Sequence, residues 1–168
     1  MKRIGIYVDV SNLYFCLNRE HKNRKLDYKK FYDFAKDFGE VKIACAYGSQ
    51  IGLEAQSFVS RIEAIGFTTR YKAPKEWPTS APGRSRRKAD WDVGITIDVI
   101  EQCDQLDTIV LGCADGDLAP LVEYLTARGK TVIIIACRIS SSLRETATTC
   151  IEIPESLLEG RKRKKEGV

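Results

Sequence analysis

Short apolar runs and longer amphipathic segments alternate along the chain. Five runs that are rich in Val and Ile, and that are bounded by turn residues or charges, predict β-strands. They are Arg3–Asp9, Val41–Tyr47, Phe67–Lys72, Thr108–Gly112 and Thr131–Cys137. Near-continuous apolar stretches such as TVIIIAC are typical of strands covered on both faces. A short final strand is predicted at Cys150–Ile153.

Segments with helical spacing of their apolar residues separate these strands. They are Leu26–Phe38, Leu53–Ile65, Ala89–Cys103, Leu118–Arg128 and Ser140–Thr146. The segment Ala89–Cys103 is apolar almost all round, which predicts a buried helix. Strands that alternate with helices predict an α/β fold with a mostly parallel, doubly wound sheet and right-handed crossovers. We expect one domain over residues 1–153, followed by a polar basic tail at 154–168.

The one long irregular stretch is predicted at Ala73–Arg87, where three prolines and a glycine interrupt any periodicity. A loop of this length in a compact domain is usually functional or disordered. Trp77 lies in it and is predicted either to stack on a base or to pack the loop onto the domain.

Charge makes this stretch a candidate binding segment. Between Arg70 and Lys88 there are seven basic residues and one acid, and Arg161–Lys165 is basic throughout. The formal net charge is only +4, so the rest of the chain is acidic. Basic segments on an acidic body favour a polyanionic partner, although the terminal run is equally typical of a solvated end. The candidates for contacts with a nucleic-acid backbone are Arg84, Arg86, Arg87 and Lys88.

Composition narrows the class of protein. The chain has 168 residues, the size of one ordinary domain, and 43% of them are hydrophobic. No apolar run approaches a membrane span, and the first apolar stretch is too short for a signal peptide, so we expect a cytoplasmic protein with no membrane partner. The six cysteines form no CxxC pair and His21 is the single histidine, which favours buried free thiols over disulfides or a zinc site.

Acidic residues follow two predicted strands. Asp9 ends the first strand, and Asp115 and Asp117 follow the fourth in LGCADGDLAP. Ligands of doubly wound sheets bind at the carboxyl ends of the strands. Asp92 lies near the start of the helix before the fourth strand. Carboxylates placed together repel each other unless a cation binds, and Mg²⁺ prefers such oxygen ligands.

Each acid also has a purely structural interpretation. Asp9 and Asp117 are suited to cap the helices that follow them, and Asp115-Gly-Asp117 is suited to a plain turn. Asp92 is suited to offset a helix dipole. Asp98 lies six residues after Asp92, about 120° away around a helix, so it is predicted to be an outer-sphere acid or to pair with a basic group. Asn12 is predicted to cap the first helix or to orient a carboxylate or phosphate.

Three blocks taken together resemble the NYN domains, in particular the LabA-like (DUF88) branch of the PIN-like nuclease superfamily. They are IYVDVSNL in the Gly5–Leu13 region, KADWDVGITIDV at Lys88–Val99 and LGCADGDLAPLVEYL at Leu111–Leu125. The resemblance implies a PIN-like, Rossmann-like α/β/α sandwich with a carboxylate pocket for Mg²⁺ or Mn²⁺, ribonuclease activity, and a homodimer, since small PIN-like domains commonly pair.

The resemblance also implies a role for each matching residue. Asp9 corresponds to the metal ligand of the first strand, Asn12 to its companion in a D-x-x-N motif, and Asp92 and Asp98 to the two acids of the helix block. Asp115 and Asp117 correspond to the acids after the fourth strand.

The leading hypothesis is therefore a metal-dependent endoribonuclease in which Asp9, Asp92, Asp115 and Asp117 hold metal. The alternative is a non-catalytic nucleic-acid-binding or regulatory module. A phosphatase of the haloacid dehalogenase type is disfavoured because Ser11 stands where that class needs a second Asp. A dinucleotide enzyme is disfavoured because no GxGxxG follows the first strand.

Overall fold

The computed structural model describes residues 1–49, 53–72, 75–78, 85–88 and 91–160, and at 53–55, 72, 75–78 and 85–88 only the backbone. The strands in chain order are β1 (Arg3–Asp9), β2 (Glu40–Ser49), β3 (Thr68–Lys72), β4 (Lys75–Pro78), β5 (Ser85–Lys88), β6 (Thr108–Gly112), β7 (Thr131–Ala136) and β8 (Thr149–Glu152). The helices are α1 (Val10–Glu20), α2 (Tyr28–Lys36), α3 (Leu53–Ile65), α4 (Asp92–Gln102), α5 (Ala119–Ala127) and α6 (Ser141–Thr146). Short 3-10 turns lie at Cys103–Gln105, Gly116–Leu118 and Glu155–Leu157.

Six strands form one parallel sheet in the order β3-β2-β1-β6-β7-β8. The chain builds outward from β1 in one direction through β2 and β3, and then outward from β6 in the other. The order therefore reverses between β1 and β6, which is where ligands bind in open α/β sheets. Val8 pairs with Gly112 in this register, so the residues that follow the two strands lie side by side. The predicted parallel α/β sheet is confirmed.

Helices cover both faces of this sheet. Tyr7 and Val8 are neighbours in β1 and point to opposite faces. The hydroxyl of Tyr7 donates to Gln102 of α4, at 2.9 Å, whereas Val8 lies beside Gly112 and Phe31 of α2. A Cβ on Gly112 would lie 3.2 Å from Val8 and 3.3 Å from Phe31, so the small residue lets α2 approach the sheet closely. The result is the three-layer arrangement with α4 and α2 on opposite sides.

Two elements differ from the sequence predictions. Within Ala73–Arg87, β4 and β5 pair as an antiparallel hairpin, so the prediction of an irregular stretch is wrong for residues 75–78 and 85–87. Residues 73–74 and 79–84 lie outside the described residues. The prediction that α4 is buried all round is also wrong, because three of its apolar side chains at helical spacing are exposed: Val93, Ile97 and Ile100. One face of α4 packs on the sheet, through Ile95 and Val99.

The chain continues to pack against the domain after Ile153. Leu157 and Leu158 are buried. The backbone N–H of Asp27 donates to the carbonyl of Leu157 at 2.9 Å, and that of Glu159 donates to the carbonyl of Lys25. Residues 154–160 thus lie against the connection between α1 and α2. The predicted basic run at 161–165 lies outside the described residues.

All six cysteines are free thiols, and four of them are buried: Cys45, Cys103, Cys113 and Cys137. In the described part of the chain, no helix combines the length and the apolar character needed to cross a membrane.

Candidate metal centre

Three of the predicted acids come together at the switch point of the sheet, which is the place between β1 and β6 where the strand order reverses. Asp92 is the first residue of α4, Asp115 is the N-cap of the 3-10 turn after β6, and Asp117 lies within that turn. Each offers one carboxylate oxygen, and these three oxygens lie within 4.8 Å of one another. Asp92 and Asp115 are partly buried and Asp117 is exposed, so the group opens to solvent on one side.

Backbone contacts fix the turn that carries two of these acids. The carboxylate of Asp115 accepts from the N–H of Asp117 at 3.1 Å, so Asp115 caps the 3-10 turn while it faces the cluster. Gly116 between them packs closely on α6, since a Cβ there would lie 2.7 Å from the Oγ of Ser142 and 3.1 Å from that of Ser140. The same residues therefore form both the Asp-Gly turn and part of the candidate metal site. The interpretation of Asp115 and Asp117 as turn residues is compatible with their interpretation as ligands.

Asp9 lies at the end of β1, beside the cluster but outside the group of three. It is 6% exposed, and its Oδ1 accepts from the N–H of Asn12 at 2.9 Å, which makes Asp9 the N-cap of α1. A buried carboxylate that accepts from a helix N-terminus is stabilised in its charged form.

The thiol of Cys113 shows that Asp9 and the cluster share one electrostatic environment. Burial raises the pKa of this thiol well above its ordinary value. The negative charges of Asp9, Asp92 and Asp115 raise the pKa of Cys113 further, because they oppose formation of a thiolate between them. The carboxylates therefore concentrate negative charge at this edge of the sheet, which is the condition that a bound cation relieves.

Asn12 connects the two acidic ends directly. Its Oδ1 accepts from the N–H of Ala114 at 3.0 Å, and its own N–H is capped by Asp9. One side chain thus ties the first turn of α1 to the loop after β6. Of the two sequence interpretations, the cap of α1 belongs to Asp9, and Asn12 instead holds the segment that carries Asp115.

Asp98 lies on α4 but outside the group of three carboxylates. Its Oδ2 pairs with Nε of Arg70 on β3 at 2.8 Å and accepts from the hydroxyl of Tyr47 on β2 at 2.8 Å. The side chain is 15% exposed, so its charge is met by a cation and a hydrogen bond within the protein. Burial, followed by the nearby charges of Cys45 and Asp98, raises the pKa of Tyr47, so this hydroxyl stays a donor.

Trp91 fixes the start of α4 and was not singled out from the sequence. Its indole N–H donates to the carbonyl of Gly48 at 2.8 Å, and its ring lies 5.5 Å from that of Tyr47. Gly94 leaves room for this ring, since a Cβ there would lie 2.7 Å from it. The pattern Trp91-Asp92 followed by Gly94 is the sequence signal for this anchor, because a glycine three residues after the tryptophan leaves space for its ring.

The predicted basic contacts lie next to the cluster in sequence. Arg86, Arg87 and Lys88 belong to β5, whose backbone ends three residues before Trp91. Arg84 lies outside the described residues, as does the side chain of Trp77. Trp77 and Arg86 are backbone partners in the β4–β5 hairpin.

The donor set fits a hard divalent cation. Three carboxylates with no histidine or thiolate among them are ligands that suit Mg²⁺, Ca²⁺ or Mn²⁺ rather than zinc. The open side at Asp117 leaves room for waters or phosphate oxygens, which Mg²⁺ usually retains as ligands.

Comparisons with known proteins identify the family of this chain. The chain is 24% identical over 157 residues to the "Low amplitude and bright protein LabA" of Synechococcus elongatus, which covers 90% of this chain and 83% of that protein. It also superposes on the crystal structure of a protein of unknown function, VPA0982 of Vibrio parahaemolyticus, with a TM-score of 0.81 and 30% identity. That match covers 94% of this chain and 96% of the other. The NYN domain matches residues 3–156. The chain belongs to the NYN domain family, within the PIN-like nuclease superfamily.

Proposed function

We propose that the protein is a metal-dependent endoribonuclease. One observation carries the proposal: Asp92, Asp115 and Asp117 bring three carboxylate oxygens within 4.8 Å of one another at the switch point of a parallel sheet. An NYN domain and such a cluster fit a nuclease. RNA as the substrate is our extension from the resemblance and from the basic segment before α4.

The residues have distinct parts in the proposed reaction. Asp92, Asp115 and Asp117 would hold Mg²⁺ or Mn²⁺, and Asp9 would add negative charge from the end of β1. A divalent ion in such a site neutralises charge at phosphorus and activates an attacking water. Asn12 accepts from the N–H of Ala114 and so would hold the loop that carries Asp115 and Asp117 against α1. Asp98 would not contact the ion but holds α4 to β2 and β3.

The basic segment before α4 supplies the proposed contacts with RNA. Four basic residues precede Asp92 by four to eight positions in the sequence: Arg84, Arg86, Arg87 and Lys88. We propose that they bind the phosphate backbone of an RNA that reaches the carboxylates. A cytoplasmic location and a homodimer stay predictions of the same proposal.

The test compares Asp117→Asn with the wild type in cleavage of a labelled structured RNA and a matching single-stranded DNA, in Mg²⁺, in Mn²⁺ and in EDTA. We expect RNA cleavage in either metal, none in EDTA, and a loss of at least about 100-fold in the variant, as when a charge-stabilising group is removed from an active site. Asp33→Asn, which alters a surface carboxylate on α2 that pairs with Lys36, is the matched control and should cleave as the wild type does.

Two outcomes would reject the proposal. Equal cleavage by Asp117→Asn would show that the activity lies elsewhere. RNA binding without cleavage in any metal would instead support the non-catalytic binding or regulatory module.

A further inference from the structure

The outer face of α1 carries two exposed aromatic rings. Tyr14 is 51% and Phe15 is 67% exposed, and their centroids lie 5.7 Å apart with the planes at 73°. The helix packs on the domain through the buried Leu13 and Leu17; Phe15 lies on the opposite side of the helix from them, and Tyr14 lies about 80° around it. Both rings therefore leave about half or more of their surface open to solvent.

This face starts at the candidate metal centre. Asp9 caps α1, and a helix rises about 1.5 Å per residue, so Tyr14 and Phe15 lie about 8 Å along the axis from the cap. That distance is roughly two phosphate steps of about 3.4 Å, the spacing along one strand of a duplex. A strand whose scissile phosphate lies at the carboxylates can therefore place a neighbouring base on these rings.

Cations follow the rings along the same helix. Arg19 lies in the last turn and Lys22 just beyond it, both exposed, and neither forms an ion pair within the described residues. The single acid between Tyr14 and Lys22 is Glu20, whose charge is met by Arg138 at 3.3 Å. The face thus combines aromatic rings with uncompensated positive charge.

We propose that the outer face of α1, formed by Tyr14, Phe15, Arg19 and Lys22, is a stacking platform for single-stranded nucleic acid that extends from the candidate metal centre. Bases stack on aromatic side chains whatever their identity, and nearby cations bind the phosphates. The net positive charge favours a polyanion over a second copy of the chain, which would bring the same positive face. The inference rests on the proposed function in one respect, because that function places the scissile phosphate at the carboxylates and so sets the path of the strand from there along α1.

Binding is measured with the full chain and a fluorescein-labelled 12-nucleotide single-stranded RNA in EDTA, so that metal-dependent cleavage does not intervene. We expect Tyr14→Ala/Phe15→Ala to weaken binding by about 10- to 100-fold, the range for lost base stacking. Tyr14→Phe/Phe15→Tyr should bind like the wild type because both rings remain. The matched control is Tyr124→Ala on α5, which removes another exposed aromatic ring and should change nothing.

A second variant tests the cationic part. Arg19→Gln should reduce the slope of log affinity against log salt by about 0.7, the value for one phosphate contact on a single strand. Lys36→Gln, at the end of α2 on the surface, removes an equal charge away from α1 and should leave the slope unchanged.

The outcomes separate this inference from the nuclease proposal. Unchanged RNA affinity in Tyr14→Ala/Phe15→Ala overturns the platform, whether or not the wild type cleaves. Weakened affinity in a protein that never cleaves supports the platform and rejects the nuclease. A change from dimer to monomer in the double variant, with RNA affinity intact, assigns the face to a second copy and also overturns the platform.

Discussion

The side chain of Asn12 links the start of α1, which follows Asp9, to the loop after β6, which carries Asp115. Asn12→Ala leaves the N–H of Ala114 without its acceptor, at the start of the segment that carries Asp115. We expect the free energy of unfolding to fall by about 1 kcal/mol. Cleavage should fall by about 10- to 100-fold, as for other residues that orient metal ligands.

The matched control for this prediction lies on the same helix. Asn18→Ala removes a partly buried amide whose side chain makes no hydrogen bond within the described residues. It should cleave and unfold as the wild type does. Wild-type cleavage by Asn12→Ala, measured beside Asn18→Ala, would show that the loop after β6 holds its position without this hydrogen bond.

Gly116 is a second residue whose role is steric. Gly116→Ala places a Cβ 2.7 Å from the Oγ of Ser142, so either this hydroxyl must rotate away from its partner Ser140 or the 3-10 turn must shift. We expect the affinity for Mn²⁺, measured by calorimetry, to fall by about tenfold because Asp115 and Asp117 flank the shifted residue. Removing the opposing atom in Gly116→Ala/Ser142→Ala should restore most of that affinity. If the double variant stays as weak as the single one, the steric explanation is wrong.

At the scale of elements, α4 is held by contacts at both its beginning and its middle. Trp91 binds the carbonyl of Gly48, and Asp98 binds Tyr47 and Arg70. All of these contacts lead to β2 and β3, on the far side of β1 from β6. The helix therefore spans the switch point, and its position sets where Asp92 meets the acids after β6.

The pair of Asp98 and Arg70 gives a prediction about this helix. Arg70→Met leaves a largely buried carboxylate without its cation, and we expect a loss of about 1–2 kcal/mol, less than for a fully buried pair because Arg70 is half exposed. Asp98→Asn/Arg70→Met should lose less than the sum of the two single variants, as for other contacting pairs. Chemical denaturation of the four proteins measures this coupling, and strict additivity would contradict it.

The same helix supplies the functional control. Stabilisation by Mn²⁺ should persist in Asp98→Asn and disappear in Asp92→Asn, because only Asp92 belongs to the group of three carboxylates. Loss of the metal effect in Asp98→Asn, in a folded protein, would instead make Asp98 a ligand.

The elements that the sequence predicts well are those in which apolar residues form a clear run or recur at regular spacing. β1, α3 and β6 have the predicted bounds because each apolar run ends at a turn residue or a charge. The sequence does not predict the β4–β5 hairpin because its strands carry Pro78 and several charges instead of an alternating pattern. The exposure of α4 was missed because composition records that Val93 and Ile97 are apolar but not which face meets the sheet.

The site was partly predictable for a similar reason. Asp9, Asp115 and Asp117 follow strands, so topology alone brings them to one edge. The helix spacing separated Asp98 from Asp92, and the structure shows the basic partner of Asp98 to be Arg70. That partner was not predictable, since Arg70 lies 28 positions away and meets Asp98 only when β3 takes its place in the sheet. The anchoring of α4 by Trp91 likewise depends on a backbone carbonyl of another strand.

At the scale of the whole molecule, the carboxylate cluster is expected to link the stability of the fold to metal binding. The sheet and its helices bury an extensive apolar core, so we expect the protein to fold without metal. The clustered carboxylates repel each other in the absence of a cation. A ligand that binds only the folded state stabilises it by about 2.7 kcal/mol at 100 times its dissociation constant. For a domain of this size, that corresponds to a rise in Tm of about 5–10 °C.

This balance predicts that the difference in Tm between Asp117→Asn and the wild type changes sign when metal is added. In EDTA, Asp117→Asn should have a Tm equal to or above that of the wild type, because the substitution removes a like charge from the cluster. In excess Mn²⁺ the order should invert, since the wild type gains the stabilisation of the bound ion and the variant does not. Differential scanning calorimetry of both proteins in both conditions measures it, with Asp33→Asn as the control whose rise in Tm on adding Mn²⁺ should equal that of the wild type. A Tm of Asp117→Asn well below the wild type in EDTA would mean that this carboxylate stabilises the fold itself, and the acids would then be structural rather than poised for metal.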